Sequence, residues 1–341
     1  MNSVRIGVLG AAQIVNLAMI KPASATSGVD VVALAARELP RARKVTNRHG
    51  IPKAYGSYSE LLADSEIDAV YIPLPPSLHG EWTAAALDAG KHVLIEKPFT
   101  ANGDEAARVV SKATQSGLVV MEAFHSAFHP LVDDLRGILA SGTIGTPIGA
   151  SGVFSVPIPP GKSTRWNESL GGGALMDVGC YPIRMMQSVF GSTPHVLSAN
   201  ALKSEGIDRA MVATLQFPNG PRAIIHASIW SPLFKLPRLT ITGTEGQLSV
   251  SSPYHPQFGS TIRIRSSAGR MKRRVSKAST YDLQLAAFRD AIRLGKPLKS
   301  GLNDSLAMMR VIDEIYLKAG MNRREPFEID YQQKLRGGQN T

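Results

Sequence analysis

Lys97 is the side chain whose position suggests proton chemistry most directly. It lies in Glu96-Lys97-Pro98, directly after the apolar run His92–Ile95. A lysine ammonium at a strand end can polarise or protonate a carbonyl oxygen, because it donates hydrogen bonds and its pKa shifts on partial burial. Lys97 is therefore a candidate catalytic residue. The alternative is a surface lysine at a strand-to-turn junction.

Tyr181 is the second candidate for proton transfer. It follows the glycine run Gly171–Gly173 and stands four residues after Asp177, a spacing that places both side chains on one helix face. A tyrosine near a lysine can exchange a proton with a substrate alcohol or carbonyl, because the positive charge lowers its pKa. Asp177 can bind a substrate hydroxyl or orient the pair. The structural alternatives are a tyrosine packed between domains and an aspartate at a helix start.

The N-terminal run Gly7–Val15 is typical of a strand that turns into a helix beside a dinucleotide. Gly10 stands where the backbone must turn tightly and Ala12 where it must approach a pyrophosphate. The helix N-terminus offers N–H groups to that anion, so Gln13 and Ile14 are also predicted cofactor contacts. Of the G-x-G-x-x-G pattern only the first glycine is present. An ordinary strand-to-helix turn is the alternative.

The end of the next strand indicates which dinucleotide is preferred. Enzymes that prefer NAD usually place an acidic residue there, whereas this chain reads Leu34-Ala35-Ala36-Arg37. Ala36 leaves room for a 2′-phosphate, and Arg37 can bind it, helped by Arg41 or Arg43. We therefore expect NADP(H) to be preferred, with NAD(H) as the second candidate. Alternatively, Arg37 is an exposed helix-entry residue and specificity is set elsewhere.

A stiff loop rich in proline follows another strand, in the stretch Tyr71–His79. Proline restricts the backbone, which suits a preformed wall beside a pyrophosphate or ribose. Pro73, Leu74 and His79 are predicted cofactor contacts, as are Glu96 and Lys97 after the following strand. His79 alternatively caps the following helix.

The elements that must position these residues form two predicted domains. Residues 1–123 repeat a short apolar run followed by a helical stretch, which predicts an α/β Rossmann domain with a parallel, doubly wound sheet. The ligand crevice of such a sheet lies at the carboxyl ends of its strands. The predicted strands are Val4–Leu9, Val31–Ala35, Ala69–Pro73, His92–Ile95 and Val119–Ala123; the predicted helices are Ile14–Ala23, Pro40–His49, Tyr58–Ala63, His79–Ala89 and Gly103–Ser116.

Residues 124–331 are predicted to form an α+β domain for substrate binding and oligomerisation, with an open, mostly antiparallel sheet. Alternating runs lie on both sides of a turn at Pro218-Asn219-Gly220, which predicts a hairpin. Helical spacing at Leu283–Leu294 and Ser305–Ala319 predicts two helices that close the fold against the first domain. Loops after Val153 and around residues 251–260 are expected to line the pocket. Residues 332–341 are expected to be a flexible tail.

Composition narrows the function classes. The chain has 341 residues, 43% hydrophobic and 19% charged, which fits two folded domains. Its single cysteine, Cys180, excludes an intrachain disulfide, and no stretch offers the ~20 apolar residues of a membrane span. We therefore expect a cytoplasmic protein with no membrane partner. No spacing of acidic partners around His125 or His129 suggests a metal, and both are interpreted as helix-entry and packing residues.

The net charge of +11 includes a basic cluster between Arg263 and Lys277. The cluster has few aromatic residues and matches no nucleic-acid module, so a solvated hairpin is expected and no nucleic-acid partner. A sharper alternative is that part of this charge attracts phosphorylated ligands, either NADP or a sugar nucleotide.

Several motifs follow one another in an order that resembles the glucose-fructose oxidoreductase/inositol dehydrogenase/MocA (Gfo/Idh/MocA) family over nearly the whole chain. They are Gly10-x-Ala12, Pro73-Leu74-Pro75 to His79, Glu96-Lys97-Pro98, Glu122-Ala123-Phe124 with Phe128-His129-Pro130, and Leu170–Tyr181. The closest likeness is to the branch of dimeric dihydrodiol dehydrogenase and NADP-dependent xylose dehydrogenase, with the sugar-nucleotide 3-ketoreductases nearby. Pro76 stands where asparagine is usual, and Ala127 where relatives often carry an arginine, which leaves the substrate open.

The resemblance implies an NADP-dependent dehydrogenase that moves hydride between nicotinamide and a secondary alcohol or ketone of a sugar, polyol or cyclic diol. It implies catalysis by Lys97 with Tyr181 as proton donor or acceptor, while Asp177 and Arg165 position neighbouring hydroxyls. Arg165 is alternatively a domain-stabilising salt-bridge residue. The resemblance also implies a homodimer or homotetramer.

Other functions stay open. One is a sugar-nucleotide 3-ketoreductase, favoured by the basic excess, and another is a non-catalytic NADPH-binding sensor or partner protein. A third is a glycosidase that uses tightly held NAD as a transient oxidant. The missing acid at Ala36 argues against the third.

Overall fold

Two β-sheets organise the chain in the computed structural model, which describes residues 3–232 and 234–327. The expected flexible tail at 332–341 lies outside the described residues. The last strand of the first sheet ends at Glu122 and the first strand of the second sheet begins at Pro147. We retain a domain boundary at residues 123/124 as a proposal.

The first sheet has six parallel strands in the order β3-β2-β1-β4-β5-β6, the doubly wound topology of dinucleotide-binding domains. Its strands are β1 (Val4–Leu9), β2 (Val29–Ala35), β3 (Lys53–Tyr55), β4 (Ala69–Ile72), β5 (His92–Ile95) and β6 (Val120–Glu122). The bounds predicted for β1 and β5 are confirmed, and those of β2, β4 and β6 differ by one or two residues. β3 was not predicted, because a strand of three partly buried residues is too short to show a period.

The helices that cover this sheet are α1 (Lys21–Ala25), α2 (Leu39–His49), α3 (Tyr58–Leu62), α4 (His79–Asp88) and α5 (Gly103–Ser116). The prediction of one α-helix over Ile14–Ala23 was wrong. A π-helical turn spans Asn16–Ile20, and α1 begins only at Lys21. Pro22 has no N–H for an α-helical bond to Ala18, and Lys21 N donates to Asn16 O across five residues.

The second sheet has eight strands in the order β14-β13-β12-β11-β7-β10-β9-β8. They are β7 (Pro147–Ser155), β8 (His195–Ser204), β9 (Ile207–Gln216), β10 (Arg222–Ser228), β11 (Arg238–Gly243), β12 (Gly246–Ser251), β13 (Thr261–Ser266) and β14 (Gly269–Arg274). The pairs are antiparallel except β7 with β10, which confirms the predicted open, mostly antiparallel sheet. The basic cluster lies on the β13–β14 hairpin, whose edge strand is exposed along its length.

Helices of the second domain are α6 (Leu131–Ala140), α7 (Cys180–Phe190), α8 (Thr280–Leu294) and α9 (Leu302–Lys318). The predicted helices at 283–294 and 305–319 correspond to α8 and α9, each of which begins three residues earlier. α9 packs against α5 and β8, so it joins the two sheets.

The two faces of the second sheet differ in exposure. Inward side chains such as Leu239, Ile241 and Val250 are fully buried, whereas outward ones such as Thr240 and Ser249 are half-buried. This outward face is therefore open to solvent in the single chain. Within the described residues, no helix is long and apolar enough to cross a membrane.

Candidate active site

The predicted cofactor and catalytic residues of the first domain lie at one edge of the first sheet. They follow β1, β2, β4 and β5, which are neighbours in the sheet and parallel. The carboxyl ends of parallel strands meet at one edge, so these segments surround a single crevice. The residues are Gly10, Ala12, Gln13 and Ile14 after β1, Ala36, Arg37 and Arg41 after β2, Pro73, Leu74 and His79 after β4, and Glu96 and Lys97 after β5.

The turn after β1 is shaped for close approach. Gly10 has φ +126°, a conformation that side-chain-bearing residues rarely adopt, and a Cβ there would meet Leu74 Cδ2 at 3.0 Å. Arg41 Nη2 donates to the Ala11 carbonyl oxygen at 3.4 Å, which brings α2 to this turn. Ala36 is buried and Arg37 is exposed. The turn therefore lies beside the Arg41 guanidinium.

His79 and Glu96 are supporting residues in this structure. His79 is fully buried, and its ring nitrogens lie 2.7 Å from Leu74 O and 2.8 Å from Pro98 O, so it ties the proline-rich loop to the Lys97 segment. Burial lowers the pKa of His79 to about 4. Glu96 accepts hydrogen bonds from the Tyr71 hydroxyl at 2.7 Å and from Lys97 N at 3.2 Å. Both residues hold the crevice wall in place.

Lys97 reaches across to the second domain. Its Nζ donates to Asp177 O at 2.7 Å and lies 3.2 Å from Asp177 Oδ1, while Arg165 Nε donates to Asp177 Oδ2 at 2.6 Å. Lys97 and Asp177 are largely buried and Arg165 is half-exposed. The structure thus brings the three predicted residues together. Arg165 forms a salt bridge with Asp177 inside the site, and its role as a substrate contact stays a prediction.

The protonation states of Lys97 and Asp177 follow from burial and from the charges around them. Burial alone would lower the pKa of Lys97, but Asp177, Cys180 and Glu96 together outweigh burial and raise it. Burial alone would raise the pKa of the Asp177 carboxyl, but Lys97 and Arg165 hold it below its ordinary value. The lysine is therefore an ammonium and the aspartate a carboxylate near neutral pH.

The glycine run places the helical segment that carries Asp177. Gly173 has φ +127°, and a Cβ on it would overlap the Asp208 carboxylate. Asp208 Oδ2 accepts from Leu175 N at 2.6 Å, and Arg324 donates to Asp208 Oδ1 at 3.2 Å and to Gly172 O at 2.9 Å. Asp208 and Arg324 are almost completely buried. A buried ion pair thus anchors the start of the segment.

That segment is not a regular α-helix. A π-helical turn spans Leu175–Gly179, and Cys180 N donates to Leu175 O across five residues. Pro182 has no N–H, so helical bonds from position 182 back to Asp177 or Val178 cannot form. The Asp177 carbonyl oxygen accepts the hydrogen bond from Lys97 instead. The expected single regular helix with Asp177 and Tyr181 on one face is therefore not what forms. Asp177 lies in the π-helical turn and Tyr181 lies in the α-helix that follows it.

Tyr181 lies in a cluster of rings beside this turn. It is 6% exposed, and Lys97 Nζ lies 5.0 Å from its ring centroid. Its hydroxyl lies 3.4 Å from His125 Nε2. Rings with centroids 5.2 to 5.9 Å from that of Tyr181 belong to Phe124, His125, Phe154, Tyr254 and His255.

Burial raises the pKa of Tyr181 well above its ordinary value, and the nearby Tyr281, Cys180, Glu96 and Asp177 act in the same direction. The net pKa of this hydroxyl is therefore raised in the protein alone, and the expectation that the Lys97 charge acts to lower it stays a prediction. The ammonium lies over the ring rather than in a hydrogen bond to the oxygen, so desolvation prevails.

His125 lies beside the Tyr181 hydroxyl but was not predicted as a site residue. Its position had been interpreted as that of a helix-entry residue. It begins a 3-10 turn, His125–Phe128, three residues after the end of β6. Position after a strand of the parallel sheet was the available signal. The loop expected at residues 251–260 contributes Tyr254 and His255 to the ring cluster. Among the described residues, no cluster of His, Cys, Asp or Glu suited to a metal ion occurs.

Two family models match the chain in order. The model of the Gfo/Idh/MocA oxidoreductase family with an NAD-binding Rossmann fold matches residues 4–124, and the model of the family's C-terminal domain matches residues 132–249.

Two curated relatives match along nearly their whole length. An uncharacterised oxidoreductase of Rhizobium meliloti, ORF334, is 40% identical over 94% of this chain and 98% of its own. D-xylose 1-dehydrogenase (NADP(+)) 2 of Haloferax volcanii is 34% identical over 92% of this chain and 96% of its own.

Solved structures agree with the fold. KijD10, a 3-ketoreductase from Actinomadura kijaniata solved with NADP and TDP-benzene, has a TM-score of 0.88 at 28% identity, over 93% of this chain and 98% of its own. KijD10 has also been solved with a tyrosine replaced by phenylalanine and with a lysine replaced by alanine. Because both models match in order and relatives of 34 to 40% identity are covered almost completely, the chain belongs to the Gfo/Idh/MocA family of oxidoreductases.

Proposed function

We propose that this oxidoreductase is NADP-dependent and moves hydride between nicotinamide and a secondary alcohol or ketone carbon of a sugar, polyol or cyclic diol. Tyr181 is the proton donor or acceptor, and Lys97 assists it. The observation that carries the proposal is the position of the Lys97 ammonium, 5.0 Å from the Tyr181 ring centroid and at the crevice edge of the first sheet.

The residues present fit a phosphorylated dinucleotide. The positive φ of Gly10 keeps the turn free of a side chain where a pyrophosphate would approach, and no carboxylate occupies the end of β2. The turn from Gly10 to Ile14 and the Pro73-Leu74 loop would hold the dinucleotide, and Arg37 with Arg41 would bind a 2′-phosphate. When bound, the nicotinamide ring supplies or accepts the hydride.

Side chains of the protein donate and accept the proton. In reduction, Tyr181 gives its phenolic proton to the substrate oxygen, and in oxidation it takes that proton back. Burial makes the phenolate costly, and the positive charge of Lys97 opposes that cost while the ammonium also holds the substrate oxygen. Asp177, already paired with Lys97 and Arg165, keeps the ammonium in position and accepts from a neighbouring substrate hydroxyl.

Relatives support this class of reaction. They include the D-xylose dehydrogenase above and trans-1,2-dihydrobenzene-1,2-diol dehydrogenases from vertebrates, one of which, from Mus musculus, is 34% identical over 74% of this chain. The second candidate is a sugar-nucleotide 3-ketoreductase. It is favoured by the solved complex of KijD10 with TDP-benzene and by the basic excess of +11. Protection of the protein against thermal unfolding by TDP alone would favour that candidate.

The testing experiment combines binding and turnover. Calorimetry with NADP⁺ and NAD⁺ comes first, followed by a panel of sugars, diols and sugar nucleotides scored at the NADPH absorbance. We expect tighter NADP⁺ binding and turnover of at least one panel member. Tight NADP⁺ binding with no turnover on the panel would favour the non-catalytic sensor, and binding of neither dinucleotide would contradict the proposed cofactor site.

The variants Tyr181→Phe and Lys97→Met test the proton step. Each should lower kcat by about a hundredfold or more, the size of a lost general acid–base contribution, while NADP⁺ binding stays unchanged. Tyr55→Phe, which removes a tyrosine hydroxyl bound to Asp64 outside the site, and Lys112→Met on α5 are the matched controls. A near-normal rate in either site variant would remove that residue from the mechanism.

A further inference from the structure

His125 connects Tyr181 to the second domain's helix α8. Its Nε2 lies 3.4 Å from the Tyr181 hydroxyl oxygen and its Nδ1 lies 2.9 Å from Thr280 Oγ1. Its ring also packs against that of Tyr281, with centroids 4.3 Å apart and the ring planes tilted by 34°. His125, Thr280 and Tyr181 are each buried, so these polar atoms depend on one another rather than on water.

The hydrogen bond to Thr280 favours one tautomer of the His125 imidazole. Within the described residues, His125 Nδ1 is the hydrogen-bond partner of the Thr280 hydroxyl. If Nδ1 carried the proton, the hydroxyl would accept and its own hydrogen would be buried without an acceptor. If Nδ1 is unprotonated, the hydroxyl donates and its hydrogen is satisfied. Because an unsatisfied buried donor is costly, the second arrangement is favoured.

The Tyr181 end agrees with that tautomer. With Nδ1 unprotonated, a neutral imidazole carries its hydrogen on Nε2 and donates to the Tyr181 oxygen. The phenolic hydrogen then stays free for a substrate oxygen. In the opposite tautomer the phenolic hydrogen would be used in the bond to Nε2, and Tyr181 could not donate it to substrate without first breaking that bond.

We propose that His125 is a positioning residue, fixed by Thr280 as the Nε2–H tautomer, that donates a hydrogen bond to the Tyr181 oxygen and stabilises the phenolate. This deepens the proposed function and rests on it. No proton leaves His125 in the reaction, since the proton that reaches the substrate is the phenolic one.

The charges around Tyr181 explain why a neutral donor is useful there. Burial, the neighbouring His255 and Lys97 hold the pKa of His125 well below its ordinary value, so the ring is neutral at working pH. Other ionisable groups that face Tyr181 raise its pKa. They are Tyr281, Cys180, Glu96 and Asp177. The positive charge of Lys97 over the ring and the Nε2–H of His125 are placed to offset them.

The first test is independent of any substrate. Histidine labelled with ¹⁵N in the full-length protein reports the protonation of each ring nitrogen by two-bond proton–nitrogen NMR, and a His125→Gln variant assigns the signal. We expect His125 to be neutral near pH 7 with its proton on Nε2. A proton on Nδ1, or on both nitrogens, would overturn the proposal.

The second test is the pH profile of substrate oxidation. His125→Phe should move the acidic limb of kcat/KM to higher pH by about 1 to 2 units, the effect of losing a hydrogen bond to a charged oxygen. The shift is toward higher pH because loss of a hydrogen-bond donor to the phenolate raises the pKa of Tyr181. His125→Gln, which retains an N–H at a similar distance, should restore part of the shift.

Thr280 provides a matched pair of variants that leaves the imidazole in place. Thr280→Val removes the hydroxyl with little change of shape and should move the limb in the same direction, whereas Thr280→Ser should leave it in place. The proposal would be overturned if His125→Phe and Thr280→Val both left the acidic limb of kcat/KM at the same pH and lowered only the thermal stability. His125 and Thr280 would then have a packing role alone. Absence of turnover in the unmodified protein, with the expected NMR tautomer, would instead contradict the proposed function.

Discussion

At the scale of single residues, we expect cofactor choice to depend on charge at the end of β2. Ala36 is buried and lacks the carboxylate that would hold a ribose hydroxyl, while Arg37 is exposed and Arg41 bonds to the glycine turn. A 2′-phosphate near these guanidinium groups would gain charge-assisted hydrogen bonds that a hydroxyl cannot supply in full. We therefore expect the preference for NADP to depend on very few side chains.

Arg37→Glu should reduce that preference. The ratio of the NADH to the NADPH dissociation constant should fall by about tenfold or more, because the variant removes an ionic hydrogen bond and adds a negative charge. Calorimetry with both cofactors measures the ratio, with Arg48→Glu at the far end of α2 as the control. An unchanged ratio would make Arg37 an ordinary exposed helix-entry residue.

At the scale of elements, two π-helical turns border the crevice and each is followed by a proline. Asn16–Ile20 precedes Pro22, and Leu175–Gly179 precedes Pro182. A widened turn changes the direction of the following side chains, and proline prevents a return to the regular bonding pattern. In the second turn this leaves the Asp177 carbonyl oxygen to Lys97.

Pro182→Ala should therefore impair activity more than stability. The new N–H can bond to Val178 O in a regular α-helix or to Asp177 O across five residues, where it competes with Lys97 for that acceptor, and we expect kcat to fall by about tenfold or more. The free energy of unfolding should change little, because proline in a first helical turn is not strained. Steady-state kinetics and urea unfolding measure the two effects, with Pro130→Ala before α6 as the control. Equal losses in kcat and stability would contradict this role for Pro182.

At the scale of the whole molecule, a buried ion pair joins the first sheet to the second domain. Arg184 on α7 donates to Glu122 Oε2 at 2.6 Å, and Ser305 on α9 donates to the same oxygen at 2.6 Å. Both charged side chains are 2% exposed. Removal of one partner leaves an uncompensated buried charge, whereas removal of both leaves an apolar contact.

Glu122→Gln should lower the free energy of unfolding by about 3 to 5 kcal/mol, and the double variant Glu122→Leu with Arg184→Met should recover most of that loss. Urea unfolding measures both. Asp133→Asn breaks the exposed pair with Lys299 and should cost at most about 1 kcal/mol. If the double variant were as unstable as the single one, the pair would be stabilising in its own right.

The open outward face of the second sheet is where we expect a second copy of the chain. Ile224 on β10 is 47% exposed there, with Ser151 and Thr214 as its neighbours on the adjacent strands. An uncovered apolar position on an open sheet favours association. Ile224→Asp should shift the protein toward monomer in light scattering, whereas Leu317→Asp on α9 should not. A monomeric unmodified protein would refute the expectation.

The sequence by itself determined the family, the doubly wound first sheet and the residues at its crevice edge, because strand periodicity and motifs such as Glu96-Lys97-Pro98 are local along the chain. Which side chains meet in the site was decided only by the tertiary structure. Lys97 bonds to Asp177 across 80 residues, and His125 to Thr280 across 155. Contacts between residues so far apart in the sequence depend on how the two sheets pack, and no local sequence pattern predicts that packing.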